Sequence, residues 1–360
     1  MKTALLFLLL SACKFAGAQE LQIPYDSAFS STTIARYVVE NFHTEEDRLR
    51  AIHTWTATHI QYSSDSMYLI NFNPDPDLKI SAALKRRKGV CENFAAVFND
   101  VARRSGLIAY VVNGYTRQNG RVDRTGHSWC AVSLKDEWYF CDPTWDKDNS
   151  PATHYFLVPP EEFIKTHIPF DPLWQLSNAP VSHAEFINGT YAHSRTPYHF
   201  KDSLDVYLKL NELQQMQASI VRIQRAGILN DMTKNDVAYL KMNSEMIRED
   251  EDSRNYNDIV NNLNKATAQL NGFISYRNAQ FLPAKTDDEI KAPLASAKIL
   301  LAVAEKKINE LAKSEATIKH DTDVLSQRLE RLNTKLSDQE NFLKKYLSGK
   351  PEEKLALLYN

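Results

Sequence analysis

The chain has 360 residues, 43% of them hydrophobic and 24% charged, with 43 basic against 45 acidic side chains and a net charge of −2. That length allows one to three domains with a real core. The charge balance gives no reason to expect nucleic acid or an anionic membrane as the main partner, and only 10 glycines and 14 prolines argue against disordered or fibrous classes.

The chain opens on "MKTALLFLLLSACKFAGAQE". Lys2 precedes an apolar run, Ala4 to Ala12, that is too short to span a bilayer, and "AGA" before Gln19 is an A-x-A-like cleavage site. A secretory signal over residues 1–18, cut after Ala18, is therefore expected. The rival is a lipoprotein signal, because "LSAC" resembles a lipobox with Cys13 as the acylated residue; Lys14 and the later A-x-A favour simple cleavage. Either way the chain is expected to be exported, to a periplasm, cell envelope or exterior. Removing the signal leaves Cys91, Cys130 and Cys141, an odd count that implies a free thiol or an intermolecular bridge in an exported protein.

Two helix patterns fill residues 30–61. "STTIARYVVENF" spaces Ile34, Val38 and Phe42 by four, and "TEEDRLRAIHTWTATHI" opens on a Thr cap with acids in its first turn and an apolar face of Leu49, Ile52 and Trp55. His53 and His59 are six apart, which is not a helical metal pair, so a packing or surface role is expected. A Pro-rich loop and a short helix with the basic end "KRRK" follow; most of that run reads as a solvated turn. From Cys91 the pattern is helical again through Phe94, Ala95, Phe98, Val101 and Ala102, ending at Ser105-Gly106.

"LIAYVVNGY" predicts a buried strand; "HSWCAVSL" and "WYFCDPTW" predict two more, joined by a tight turn at Lys135-Asp136. A two-residue turn there sets Cys130 opposite Cys141 on one face, and Trp129 opposite Asp142 on the other. His127 is the next residue on the Asp142 face, so it and Asp142 become diagonal neighbours within hydrogen-bond reach. Cys130 and Cys141 are then placed either for a cross-strand disulfide or as buried reduced thiols. Residues 150–200 are rich in Pro and His with little periodicity, and loops and short helices are expected there.

Composition changes near residue 200. Before it lie 9 of the 10 histidines, all 5 tryptophans and 11 of the 14 prolines; after it Leu, Ala, Lys, Glu, Asn and Gln dominate. The expected division is a signal (1–18), a mixed α+β domain (19–200) and an all-α domain (201–360). In the last, a helix of about residues 203–226 precedes one from about Asp236 to Leu282. A heptad seam then runs from Leu294 through Ala297, Leu301, Ala304, Ile308, Leu311, Glu315, Ile318, Thr322, Leu325, Leu329, Leu332, Leu336, Gln339 and Leu343. The last two segments are expected to pair as an antiparallel coiled-coil hairpin, with arms on the order of 70 Å. The helical region is expected to serve intramolecular pairing or homo-oligomerisation.

Thiol acyl transfer needs a thiolate, an imidazole that takes and returns its proton, and a group that holds the imidazole in the right tautomer. Cys91 sits where a helix begins, and the free N–H groups there both favour a thiolate and cradle an oxyanion. "KGVCENFAAVFNDVARRSGL", "GHSWCAV" and "WYFCDPTWD" resemble the three core motifs of the transglutaminase-like superfamily, which is papain-related. The resemblance implies a helix carrying the Cys packed on an antiparallel sheet. It also implies Cys91 as nucleophile, His127 as general base and acid, and Asp142 as the orienting group. "AIHTWTATHIQYS" resembles the family's helix before the Cys, which makes Tyr62 a candidate for lining the site; Trp129 is a second candidate for the substrate or oxyanion side. "THYFLVPPEEFIKTHIPFDPLWQL" looks more loosely like bacterial envelope members, so the likeness covers about residues 30–190. Cys130, at a position usually polar in relatives, and Cys141 depart from the pattern.

The implied activity is attack on a peptide or carboxamide carbonyl, with water favoured over an amine as acceptor and an envelope protein or peptide as substrate. The alternative is a binding or scaffold protein that keeps the fold. No P-loop, dinucleotide-binding glycine pattern, H-E-x-x-H or C-x-x-C occurs, and no cofactor or metal is expected. Animal relatives use calcium, but no EF-hand-type acidic loop is present to carry that over.

Overall fold

The computed structural model describes residues 23–66, 75–191, 198–313 and 319–359. The expected signal with Cys13, and Glu315 and Ile318 of the seam, lie outside them. Among the described residues no helix is long and apolar enough to cross a membrane. The fold is α+β followed by an all-helical region, and the chain divides into two compact units, Met1–Lys241 and Met242–Asn360.

In the first unit, α1 (Ser31–Asn41) begins at Ser30, whose Oγ accepts from the Thr33 N–H, and turns Ile34 and Val38 inward. Helix α2 (Glu45–His59) is capped by Thr44, carries three acids in its first turn and buries Leu49, Ile52 and Trp55. Strand β1 (Gln61–Tyr62), helix α3 (Pro76–Arg86) and strand β2 (Lys88–Gly89) lead to α4 (Cys91–Arg104). Helix α4 is the centre of the core. Phe94, Ala95, Val97, Phe98, Val101 and Ala102 have no exposed surface, and each larger side chain contributes roughly 1.5–3 kcal/mol.

Strands β3 (Ile108–Gln118), β4 (Arg121–Leu134) and β5 (Glu137–Cys141) form an antiparallel meander. Lys135 (φ 54°) and Asp136 (φ 62°) make the expected tight turn, and the register follows, with Leu134 opposite Glu137 and Cys130 opposite Cys141. Strand β4 starts earlier than expected because Asn119 (φ 50°) and Gly120 (φ 75°) turn β3 directly into it. That Asn-Gly pair was the legible signal.

After α5 (Pro160–Phe163), β6 (His167–Pro169) pairs antiparallel with β3, giving the sheet order β5-β4-β3-β6. This strand was not expected: three residues are too few to show a period. One sheet face, with Ala109, Cys130, Val132 and Cys141, packs on α1, α2 and α4. The other, with Val112, Trp129, Ala131 and Phe140, packs on Phe163, Leu173 and Trp174.

Three further helices, α6 (His183–Asn188), α7 (Phe200–Leu208) and α8 (Glu212–Ala226), precede the long α9 (Asp231–Asn278). The compositional division at residue 200 does not coincide with the compact units. Phe200, Leu204 and Tyr207 share a core with Trp129 and Phe140, and Ile220, Ile223 and Val237 share one with Tyr115 and Phe186. Arg222 adds a bidentate pair to Asp171, at 2.7 and 2.6 Å. Helical composition marks secondary structure, and the core to which a helix belongs is a tertiary matter.

The second unit contains the rest of α9, then α10 (Asp287–Leu311), α11 (Lys319–Ser348) and α12 (Pro351–Tyr359). The expected long second arm is thus two helices. Lys307 reaches Asp258 and Lys298 reaches Glu340, so α10 runs antiparallel to both neighbours; Arg328–Asn264 and Lys335–Asn271 set α9 and α11 parallel. The result is an up-down-up set of three helices around Ile259, Leu263, Leu270, Leu301, Ile308, Leu329 and Leu336. The described seam residues are all buried, including Thr322 and Gln339.

Candidate active site

Cys91 is the first residue of α4, half-buried, with Val90 as N-cap and the Asn93 Oδ1 accepting from the Val90 N–H at 2.9 Å. The chain reaches this turn through Gly89, where an added Cβ would lie 2.6 Å from the Asn93 Cβ. Parallel pairing of β1 with β2, through Gln61 N–H to Arg87 O and Ser63 N–H to Gly89 O, holds Tyr62 beside the same turn. Tyr62 is 44% exposed, and burial of part of its ring, with the Cys91 charge, raises its phenol above the usual range.

His127 lies on β4, opposite Gly114 of β3. Its Nε2–H donates to the Asp142 Oδ2 at 2.6 Å, and His127 and Cys91 line the same cavity. Burial disfavours the imidazolium, but the charge and hydrogen bond of Asp142 and the bond to Cys91 outweigh it, pushing the His127 pKa up to about 10. Asp142 is wholly buried just past β5. Its Oδ1 accepts from the N–H groups of Thr144 and Trp145 at 2.9 and 3.2 Å. Burial alone would raise its carboxyl; the charge and hydrogen bond of His127, and the bond from His167, hold it well below the usual carboxylate range.

His167 was not among the expected site residues. It is wholly buried, stacks on Phe163 with centroids 4.0 Å apart, and its Nε2–H donates to the same Asp142 Oδ2 at 3.2 Å. The Thr166 hydroxyl donates to its Nδ1 at 2.7 Å. Burial lowers the His167 pKa to about 4, so the ring is neutral near pH 7. No sequence spacing links residue 167 to 142; the β3–β6 pairing brings them together. His127, Asp142 and His167 are the one group among the described residues able to hold a metal, with ligand atoms within 4.8 Å of one another. As they stand, both imidazole N–H groups are directed at one carboxylate oxygen.

The expectation for Trp129 is corrected, and of the two alternatives for Cys130 and Cys141 the reduced thiols are found. Trp129 is wholly buried between His127 and His167, at 6.0 and 5.2 Å between centroids, and does not reach the substrate side. Trp145 occupies that place, lining a cavity of about 600 Å³ with Tyr62, Cys91, His127, His154 and Tyr155. The strand register puts Trp129 on the right face, but the packing of Phe163 seals that face. Cys130 and Cys141, although opposite each other, are free thiols. Cys130 Sγ donates to the Ala95 carbonyl at 3.3 Å, and burial pushes the Cys141 thiol up to about 12.

The cavity wall from Thr144 to Tyr155 is organised by a second buried pair. His53 donates through Nε2 to the Asp146 Oδ2 at 2.8 Å, both side chains wholly buried. Asp146 also accepts from Asn149 Nδ2 and from the N–H groups of His154 and Tyr155. His53 was expected to have a packing role, and it does; its partner was not foreseen. His59 stacks on Trp55, centroids 5.2 Å apart, and His183 is buried against the Tyr115 hydroxyl.

Residues 32–143 match the family model of the transglutaminase-like superfamily. The chain is 30% identical over 175 residues to kyphoscoliosis peptidase of Mus musculus, and equally to that of Homo sapiens, covering 44% of this chain and 26% of each relative. It therefore spans about a quarter of the length of the curated relatives it matches. The solved structure of a TGase aligns at 21% identity with a TM-score of 0.24, over 35% of this chain and 35% of that one. Helix α4 begins with Cys91 inside the matched stretch, and His127 on β4 and Asp142 after β5 also lie inside it, so all three candidate site residues fall in the part of the chain similar to the transglutaminase-like superfamily.

Proposed function

We propose that this chain is a thiol enzyme that opens peptide or carboxamide bonds through a Cys91 thioester, with His127 as base and acid and Asp142 as the orienting group. The observation that carries this reading is that Cys91, at the first turn of α4, and His127, tied to Asp142 at 2.6 Å, line one cavity. The Cys91 sulfur attacks the carbonyl carbon with its proton already resting on His127, which Asp142 holds as imidazolium. The N–H groups opening α4, which have no acceptor within the helix, face the developing oxyanion. His127 then returns the proton to the departing amine, leaving the thioester. Water attacks it, gives its proton to His127, and the carboxylic acid departs as the thiol is restored.

Water is the acceptor we favour because the cavity is open to solvent along polar side chains, among them Gln118, Asp123 and Asn149. The substrate is proposed to be an envelope or extracellular protein or peptide; a secreted chain beginning at Gln19 is the supporting result. The deciding experiment is iodoacetamide labelling near pH 6. Cys91 is expected to react at least about tenfold faster than glutathione, and His127→Ala to remove the advantage. A Cys91 no faster than glutathione, or indifferent to His127, would leave a non-catalytic binding role for the domain.

A further inference from the structure

The basic run before Cys91 is only partly a solvated turn. Lys85 and Arg86 end α3, where cations suit the helix dipole. Arg87 is different. It closes α3 in the left-handed conformation (φ 54°), and its guanidinium lies 4.8 Å over the Trp55 ring. Its Nη2 donates to the Ala28 carbonyl at 2.6 Å, while Nη1 is buried without a partner, and no carboxylate pairs with it among the described residues.

A second cavity, of about 560 Å³, opens here. Arg86, Arg87, Lys88 and Lys147 line it against a single carboxylate, Asp148, which Lys147 already holds. Lys147 comes from the loop after Asp142, sixty residues from the basic run in the chain. Convergence of charge from two separate segments is not explained by a helix terminus. Tyr62 and Lys147 line both this cavity and the one containing Cys91, and Lys147 Nζ sits 5.9 Å from the Tyr62 ring. Lys88 is three residues before Cys91 along extended chain, about 10 Å at the strand rise.

We propose that this cavity is an anion subsite of the cleft, taking a carboxylate carried by the substrate peptide about two to three residues from the bond that Cys91 attacks. It rests on the thiol-enzyme reading and adds a substrate class to it: acidic peptides. Arg87, Lys88 and Lys147 together line the cavity and supply the positive field that draws the carboxylate. The carboxylate comes either from a Glu or Asp side chain or from a peptide C-terminus.

Peptidyl vinyl sulfones with Glu or Gln at the second or third residue from the electrophile separate these sources, read as Cys91 adduct formation by mass spectrometry. At low salt the Glu probe is expected to label about tenfold faster than the Gln probe. The ratio is expected to shrink severalfold in about 0.5 M salt. In the Lys88→Ala/Lys147→Ala variant it should fall to about one; the ratio cancels any general effect on the thiol. A C-terminal source shows instead as equal probe rates with protection of Cys91 by peptides ending in a carboxylate but not by their amides. Equal rates without such protection, or a Glu preference unchanged in the double variant, overturn the subsite. The same probes run at pH 9, where any accessible thiol alkylates, keep the ratio readable even if His127 proves irrelevant at pH 6. Failure of the enzyme reading and failure of the subsite are thereby told apart.

Discussion

At the scale of single residues, Asp142 is the point on which the site turns, since one of its oxygens takes N–H bonds from two histidines and the other from two backbone amides. Asp142→Asn keeps the shape but cannot hold His127 as imidazolium or fix its tautomer. Its turnover, or its Cys91 acylation rate, should fall by roughly 10³–10⁴. His167 makes a separate prediction about stability. Its pKa lies near 4 in the folded chain against 6.5 when unfolded, so the unfolded chain binds the proton first as pH falls. The stabilising contribution is complete above about pH 6.5 and is lost down to about pH 4, on the order of 3 kcal/mol. Denaturant titration at pH 7 and pH 4.5 should show a smaller loss for His167→Gln than for the native chain. His127 works in the opposite sense: its contribution is complete below pH 6.5 and fades as pH rises through about 10.

At the scale of elements, the approach of β6 to β3 decides whether His167 reaches Asp142. Gly114 stands at the contact: an added Cβ would lie 2.1 Å from the Ile168 carbonyl oxygen and 2.5 Å from the Trp129 ring. Both neighbours are buried, so neither can yield cheaply. Gly114→Ala should cost about 2–4 kcal/mol by chemical denaturation and weaken the pH 7 to pH 4.5 dependence that His167 imposes. The elements themselves differ in how well the chain announces them. The helices α1, α2 and α4 and the β4–β5 hairpin were legible because caps, four-residue apolar spacing and a two-residue turn are local. The strand β6 and the loop gathered around Asp146 were not, because their partners are His53 and β3, far away in the chain.

At the scale of the whole molecule, the three-helix core of the second unit draws none of its residues from the first. Leu301, 1% exposed at its centre, is the position to test. Leu301→Asp should lower the helical transition followed by circular dichroism by about 4 kcal/mol or more, while iodoacetamide labelling of Cys91 stays within about twofold. By itself the sequence determined the α+β class, the cysteine at a helix start and the His127–Asp142 adjacency. Each follows from a period, a cap or a register, and these are properties of neighbouring residues. Only the tertiary structure decided that His167 joins Asp142, that Trp145 and not Trp129 faces the cavity, and that α7 and α8 belong to the first unit. It also decided that Lys147 meets the basic run beside Tyr62. Those contacts join segments with no fixed spacing, and burial of shared apolar surface, not local pattern, brings them together.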